Sequence, residues 1–463
     1  MKNPNVIFFT IDGLRADQIF GESKSALTPN IDLLIKKGTL FSSAFSSADG
    51  TTLSFNTIFN SLFPFKTGVR TTKIFLGENN IFQVFQKNNY HIFGLLPDMK
   101  IYDSVREIFE NKLNSYQWVN ENESLDTSVA NTIINFLDSI DVEPWLFFAH
   151  LLDLHPLREG KIPSGLKEFD DGKFGSSDYA KTVSGIDFWL GKILKHIDLS
   201  NTLLILTADH GERIPYGNIR NTDLEPKLSS SKKIGKKLLP KQTHEMGGKA
   251  LWKIRSSISK YKIKKNNETL TNYQQRSRMP YFTLSLHDEL LHVPLLFVGN
   301  GTLSRVIPNF VRHVDIFPTL CDLVNINYQK NAIHGTSLSP LFNEKKMEEN
   351  PAYLHTMPYK ELHHTDAVGI RTKNFKYFRF ARDPNKDVHL YDLKNDPFEN
   401  NNIAESNPNK VKEMESILQT MTKIPESSTA ESELTEEETK KIESQLKKLG
   451  YIGETDSISN NTQ

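Results

Sequence analysis

Short apolar runs alternate with helical patterns through the first three hundred or so residues. That alternation predicts an α/β fold built on a large, mostly parallel sheet flanked by helices. Strands are predicted at Val6-Thr10, His91-Leu95, Trp145-His150, Leu203-Thr207 and Val293-Val298. One helix starts at Thr28-Pro29, carries Ile31, Leu33, Leu34 and Ile35, and stops at Gly38. Others are predicted from Asp126 to Leu137, from Tyr179 to Ile197 and from Asp315 to Val324. A further helix begins at Thr51, ahead of the periodic positions Leu53, Ile58, Phe59 and Leu62.

Two stretches break the alternation. Residues 213–280 carry almost no periodic core pattern and are rich in lysine (Lys232-Lys233, Lys236-Lys237, Lys262, Lys264-Lys265). They read either as a solvated, partly disordered insertion or as a basic flap over the active site that attracts an anionic substrate or surface, and their place directly after Asp209-His210 favours the flap. Residues 351–405 read as a small sheet (Tyr377 to Phe380, His389 to Tyr391) rather than a βα repeat. The chain therefore divides into a catalytic α/β domain over 1–345, which includes the basic insertion, and a smaller C-terminal α+β subdomain over 346–422. Residues 423–463 form a Ser/Thr/Glu linker, an amphipathic helix from Thr435 to Leu449 and a disordered tail.

With 463 residues, 38% of them hydrophobic, the chain can bury a large core. No run approaches the roughly 20 apolar residues of a membrane span, so no transmembrane segment is expected. Met1-Lys2-Asn3-Pro4 leads straight into the first strand, so no secretory signal is expected either. Cys321 is the only cysteine, which excludes an intrachain disulfide and suits a reducing cytoplasm. The formal net charge is zero, and the one basic cluster lacks interleaved aromatics, so no nucleic-acid partner is expected.

The candidate chemistry sits where strands run out into loops. Asp12 ends the run from Asn5 to Ile11, and Asp209-His210-Gly211-Glu212 ends the run from Leu203 to Ala208. Thr51 stands at a helix start. Open α/β sheets bind ligands beyond the carboxyl ends of their strands, and helix N-termini offer free N–H groups to anions. Two carboxylates, an imidazole and a hydroxyl at that edge fit metal-assisted transfer of a sulfuryl or phosphoryl group.

Several spaced segments resemble the sulfatase branch of the alkaline phosphatase superfamily. Asn5 to Asp17 is similar to its N-terminal metal-binding strand and loop, and Thr28-Pro29-Asn30-Ile31-Asp32 with Gly38 to its first helix. Thr207-Ala208-Asp209-His210-Gly211-Glu212 matches its second metal motif. His292 to Leu296, Asp315 to Leu320, Leu390 to Pro397 with Asn402, and Leu446 to Ile452 resemble its later segments. The resemblance spans nearly the whole chain outside the basic insertion, and it implies a sulfatase-like fold and a metal-dependent ester hydrolase.

Within that resemblance two motifs depart. The family's nucleophile motif is Cys or Ser, any residue, Pro, Ser, Arg, and its first residue is oxidised to formylglycine. Here Thr51 stands at the nucleophile, Leu53 at the proline and Phe55 at the arginine, with Thr52 and Ser54 as alternative nucleophiles. Threonine cannot yield formylglycine and resembles the nucleophile of the superfamily's phosphodiesterase and phosphotransferase branches. Gly13 stands where many sulfatases carry a further aspartate. The expected metal ligands are thus Asp12, Asp209, His210 and the Thr51 oxygen, enough for one divalent ion (Ca²⁺, Mg²⁺, Mn²⁺ or Zn²⁺).

By the same resemblance His155 is the candidate for substrate contact or protonation of the leaving group, and Asp153 could orient it or approach the metal. Lys100 and His244 are further candidates for meeting an anionic sulfate- or phosphate-ester substrate, including a carbohydrate-linked one. His292 and His313 read as structural. A non-catalytic binding protein on a decayed sulfatase core is the competing expectation, and the sequence does not determine the oligomeric state.

Overall fold

The structure, a computed structural model, describes residues 3–67, 73–117, 124–159, 161–221, 244–279, 285–357, 366–423 and 444. The predicted linker from 424, the terminal helix and the tail lie outside the described residues, apart from position 444.

An eight-stranded sheet forms the large domain, from β1 (Asn5–Ile11), β2 (Thr39–Phe45), β3 (His91–Pro97), β4 (Ser115–Tyr116), β5 (Trp145–Leu151), β6 (Thr202–Thr207), β7 (His292–Val298) and β8 (Arg305–Arg312). Their order across the sheet is β4-β3-β5-β1-β6-β7-β2-β8. All pairs are parallel except those of β7, which runs antiparallel to both β6 and β2. Every residue of β1, β5 and β6 is buried. That fits central strands covered on both faces by helices, whose sequences are continuous apolar runs rather than alternating ones.

The five predicted strands are present, each within two residues of its expected bounds. Strands β2, β4 and β8 are not among the predicted ones: β2 carries two serines in its middle, β4 is two residues long and β8 has an edge strand's mixed burial. The predicted helices form as Pro29–Lys37, Thr51–Asn60, Asp178–Ile193 and Ile316–Leu323. The expected helix from Asp126 opens with a π-helical turn, Leu125–Val129, before the α-helix Ala130–Ser139.

Where it is described the basic insertion is helical, although its sequence carries no periodic core pattern; Lys232-Lys233 and Lys236-Lys237 lie outside the described residues. It holds a 24-residue helix, His244–Asn267, and a short one, Asn272–Arg276, started by a Thr271–Gln274 capping box. Lysine is a good helix former, and a helix that packs little against a core need not show apolar periodicity.

A second, antiparallel sheet follows, in the order β12-β11-β10-β9, from β9 (Ala352–His355), β10 (Ala367–Arg371), β11 (Phe375–Phe380) and β12 (His389–Asp392). The helix Pro408–Thr422 packs on it through Met414 and Leu418. A buried charge cluster joins this sheet to the large domain: Lys376 pairs with Asp288 and, at 2.7 Å, with Glu399, while Arg371 holds Asp288 at 2.8 Å. Among the described residues no helix is long and apolar enough to cross a membrane.

Candidate active site

Strands β1, β5 and β6 are neighbours and parallel, so their carboxyl ends deliver Asp12, His150 and Asp209 to one place. Thr51 reaches the same place from the first turn of its helix. Thr51 Oγ1 donates to Asp12 Oδ1 over 3.3 Å and lies 3.5 Å from His210 Nε2. His210 Nε2 is in turn 3.5 Å from both Asp12 Oδ1 and Asp209 Oδ2. The four residues expected from sequence to form the centre therefore converge, and all are buried.

The protonation of each imidazole follows from its partners. His210 Nδ1 lies 2.7 Å from the Gly211 carbonyl oxygen, which only accepts, so Nδ1 carries the proton. Thr10 Oγ1 donates its one proton to the Ala149 carbonyl at 3.1 Å, so it must accept from His150 Nδ1 at 3.0 Å. The His150 ring then turns an unprotonated Nε2 away from this bond, whereas for His210 the effect of burial is outweighed by the Asp209 and Asp12 carboxylates, which raise its pKa.

His150 Nε2 is buried and has no hydrogen-bond partner among the described residues, and neither has Asp209 Oδ2. The other oxygen, Asp209 Oδ1, accepts from the backbone N–H of Gly13 (3.2 Å) and of His210 (2.9 Å). Asp12, His150 and Asp209 can bring one donor atom each to within 4.8 Å of one another. Buried lone pairs without donors are costly in an apolar interior, and a divalent cation would satisfy them. Two carboxylates with one or two neutral imidazoles suit such an ion, so the residues present fit a single metal held by Asp12, Asp209 and His150 or His210.

Burial and the neighbouring Arg158 guanidinium lower the pKa of His155, keeping it neutral. Arg158 Nη1 lies 2.6 Å from His155 Nδ1, and because a guanidinium can only donate, Nδ1 accepts and Nε2 holds the proton. This contact is shorter than the 3.3 Å from Nδ1 to Asp12 Oδ2, and it decides the tautomer. Arg158 also pairs with Asp12 Oδ2 at 3.0 Å and with Glu212 Oε2 at 2.8 Å. Burial would raise the pKa of Asp12, but the Arg158 guanidinium, with a further contribution from His210, holds it well below the usual carboxylate range.

The Gly13 departure has a direct structural counterpart. A Cβ on Gly13 would stand 3.6 Å from Arg158 Nη2 and 3.5 Å from Glu212 Cβ, so these side chains border the space that a residue there would enter. Gly13 also has φ +69°, a left-handed conformation that glycine adopts at no steric cost.

The other expected site residues stand as follows. Asp153 is buried and accepts from the Leu125 N–H at 2.9 Å. Lys100 opens a 3₁₀ turn just beyond β3 and is half-buried. His244 is the first residue of the long basic helix. His292 donates from Nε2 to the Ser42 carbonyl at 2.9 Å. Burial and the nearby His210 hold His313 down to about 3, a neutral ring. Sequence reasoning missed His150 and Arg158. For His150 the available signal was its position level with Thr10 at the end of a strand parallel to β1.

The site thus places a hydroxyl, two carboxylates and imidazoles at the carboxyl edge of a mixed, largely parallel sheet in an α/β protein. The chain belongs to the sulfatase family: the family model described as Sulfatase matches residues 4–326, and the one described as N-sulphoglucosamine sulphohydrolase, C-terminal, matches 281–426. Arylsulfatase K of Mus musculus is 30% identical over 152 residues, 31% of this chain and 27% of that protein. The match thus spans about a quarter of this curated relative. A 2-O GAG sulfatase structure superposes with a TM-score of 0.62 at 17% identity, covering 91% of this chain and 93% of that one. The phosphonate monoester hydrolase of Agrobacterium radiobacter gives 0.60 at 17% identity, covering 94% and 98%.

Proposed function

We propose that this chain is a metal-dependent hydrolase of sulfate or phosphate esters in which Thr51 is the nucleophile. The observation that carries the reading is the Thr51 hydroxyl, buried at a helix start and bonded to Asp12 Oδ1 within the Asp12, Asp209, His210 cluster. A bound divalent cation would neutralise the ester's non-bridging oxygens and lower the pKa of the Thr51 hydroxyl. The chain's own groups supply the rest. Thr51 Oγ attacks sulfur or phosphorus as the bond to the leaving oxygen breaks, its own proton passing to solvent by way of the Asp12 carboxylate that it is bonded to, while His155 Nε2–H hydrogen-bonds the departing oxygen, which takes its proton from water. Water then cleaves the threonine ester, the threonine oxygen departs, and the hydroxyl is restored.

Threonine at this position favours phosphate chemistry, either hydrolysis or phosphoryl transfer to an acceptor, since it cannot become formylglycine. The sulfatase relatives favour a sulfate ester, and the GAG sulfatase neighbour favours one carried on a sugar.

The test is initial rates on matched aryl sulfate, phosphate monoester and phosphodiester substrates with defined divalent ions. Chelation should stop turnover and added metal restore it. Thr51→Ala should lose at least about 10²-fold in kcat, Thr51→Ser should retain part of the rate, and Asp209→Asn should weaken metal binding measured by calorimetry. Full metal-dependent activity in Thr51→Ala would remove Thr51 from the chemistry.

A further inference from the structure

The long basic helix has no role in the reaction described above, yet its foot is fastened to the rim of the site. Arg278 Nη1 donates to Asn267 Oδ1 at 3.0 Å, and Gln275 Nε2 to the Asn267 carbonyl at 3.3 Å. In the short helix that follows, Tyr273 Oη accepts from Arg15 Nη2 at 2.8 Å, and Arg276 pairs with Glu289 at 2.7 Å. Arg15 Nη1 also donates to the Glu212 carbonyl at 3.2 Å, so one guanidinium joins the foot of the arm to the loop that carries Asp209-His210.

Next to the foot, over 256–267, the helix is largely exposed. Within 256–267 only Ser259 is buried, whereas Ile258 is 49% and Tyr261 67% exposed. Lys260, Lys262, Lys264 and Lys265 are exposed as well, and this stretch contains no acidic residue. In a chain of zero net charge, that is a segregation of positive charge onto one exposed element. At 24 residues the helix is about 36 Å long, the length of several sugar units.

We infer that this arm is a docking surface for a linear polyanionic glycan, which it guides to the active site. The inference rests on the proposed hydrolysis of anionic esters and narrows their class from small esters to polymers. Charge distribution argues for a polymer over an anionic lipid surface. A membrane-lying helix keeps its apolar residues on one face and its charges on the other. Here Lys265 shares the stripe of Ile258 and Tyr261 (i, i+3, i+7), while Ile263 lies on the opposite side. Lysines all round the helix suit a flexible chain that winds along it, and the exposed Tyr261 ring offers a sugar an apolar face.

The test compares wild type with the Lys260→Gln/Lys262→Gln/Lys264→Gln/Lys265→Gln variant, whose replaced side chains are exposed and outside the catalytic cluster. Heparin and dextran sulfate are the polymer probes, an aryl ester is the small one, and phosphatidylserine vesicles are the membrane probe. The variant should bind both polymers at least about tenfold more weakly, with a shallower salt dependence. Its turnover of the aryl ester should be unchanged. Equal polymer affinity in wild type and variant overturns the inference, as does a lysine-dependent preference for vesicles over polymers. Lysine-dependent polymer binding by a protein that turns over no ester would sink the proposed hydrolysis and leave the docking surface standing.

Discussion

Phe55 shows how a single residue can absorb a departure from a family pattern. It stands where the nucleophile motif carries arginine, and it is fully buried. Its ring stacks on Phe59 at 5.0 Å and meets the His150 imidazole edge-on at 4.8 Å. The position has become an apolar support for a candidate metal ligand, and burial is what keeps that imidazole neutral. Restoring the arginine by Phe55→Arg should therefore not restore a sulfatase of the usual kind. It would set an unpaired guanidinium among Phe59, Phe148 and His150, at a cost of about 3–5 kcal/mol, read as a lowered urea midpoint. Asp12, Thr51 and Asp209-His210 were legible in the sequence because each marks a local boundary, a strand end or a helix start. His150 was not, because the last residue but one of a fully buried strand shares the burial of its core neighbours. Arg158 was hidden for another reason: its partners Asp12 and Glu212 are distant in sequence, and only the fold brings them to it.

At the scale of elements, the loop after β6 is held by close backbone approach. Gly211 N–H donates to the Leu290 carbonyl at 2.8 Å, and a Cβ on Gly211 would stand 2.3 Å from the Glu289 carbonyl oxygen. Neither backbone can yield cheaply, so Gly211→Ala should destabilise the fold by about 1–3 kcal/mol and reduce kcat by displacing Asp209 and His210. Gly172→Ala is the control: nothing lies within 4 Å of its added Cβ, and stability should change by less than about 0.5 kcal/mol. The difference in urea midpoints between the two variants checks both expectations. The same reasoning shows which elements a sequence reveals. Central strands announce themselves as unbroken apolar runs, and helices through their caps and periodicity. Strand β2 is obscured by Ser42 and Ser43, where its pairing with β7 and β8 also shifts register. The basic arm is obscured because Lys260, Lys262, Lys264 and Lys265 break up any apolar stripe along its last turns.

For the whole molecule, the charge cluster at Lys376 decides whether the two sheets behave as one body. Lys376 is fully buried, and its two carboxylate partners respond in opposite ways. Burial alone would raise Asp288, but Arg371 and Lys376 hold it well below the carboxylate range. Burial pushes Glu399 up to about 7 against the pull of Lys376, with Asp288 and Glu289 adding to the push. Lys376→Met would leave Glu399 without its cation and should cost about 3–5 kcal/mol, with proteolysis opening first within 346–422. Adding Glu399→Gln should recover part of that loss, because a neutral amide replaces the stranded carboxylate. The parallel run of β1, β5 and β6 has a practical consequence at the far edge of the sheet. Their starting ends meet where Glu143 Oε1 accepts from Asn5 Nδ2 at 3.0 Å and from Asn201 Nδ2 at 3.2 Å. The turn at 198–200 beside that junction lies a whole strand, about 20 Å, from Thr51, and it is a natural handle for tethering the protein to a bead or sensor chip with its open edge facing the solution.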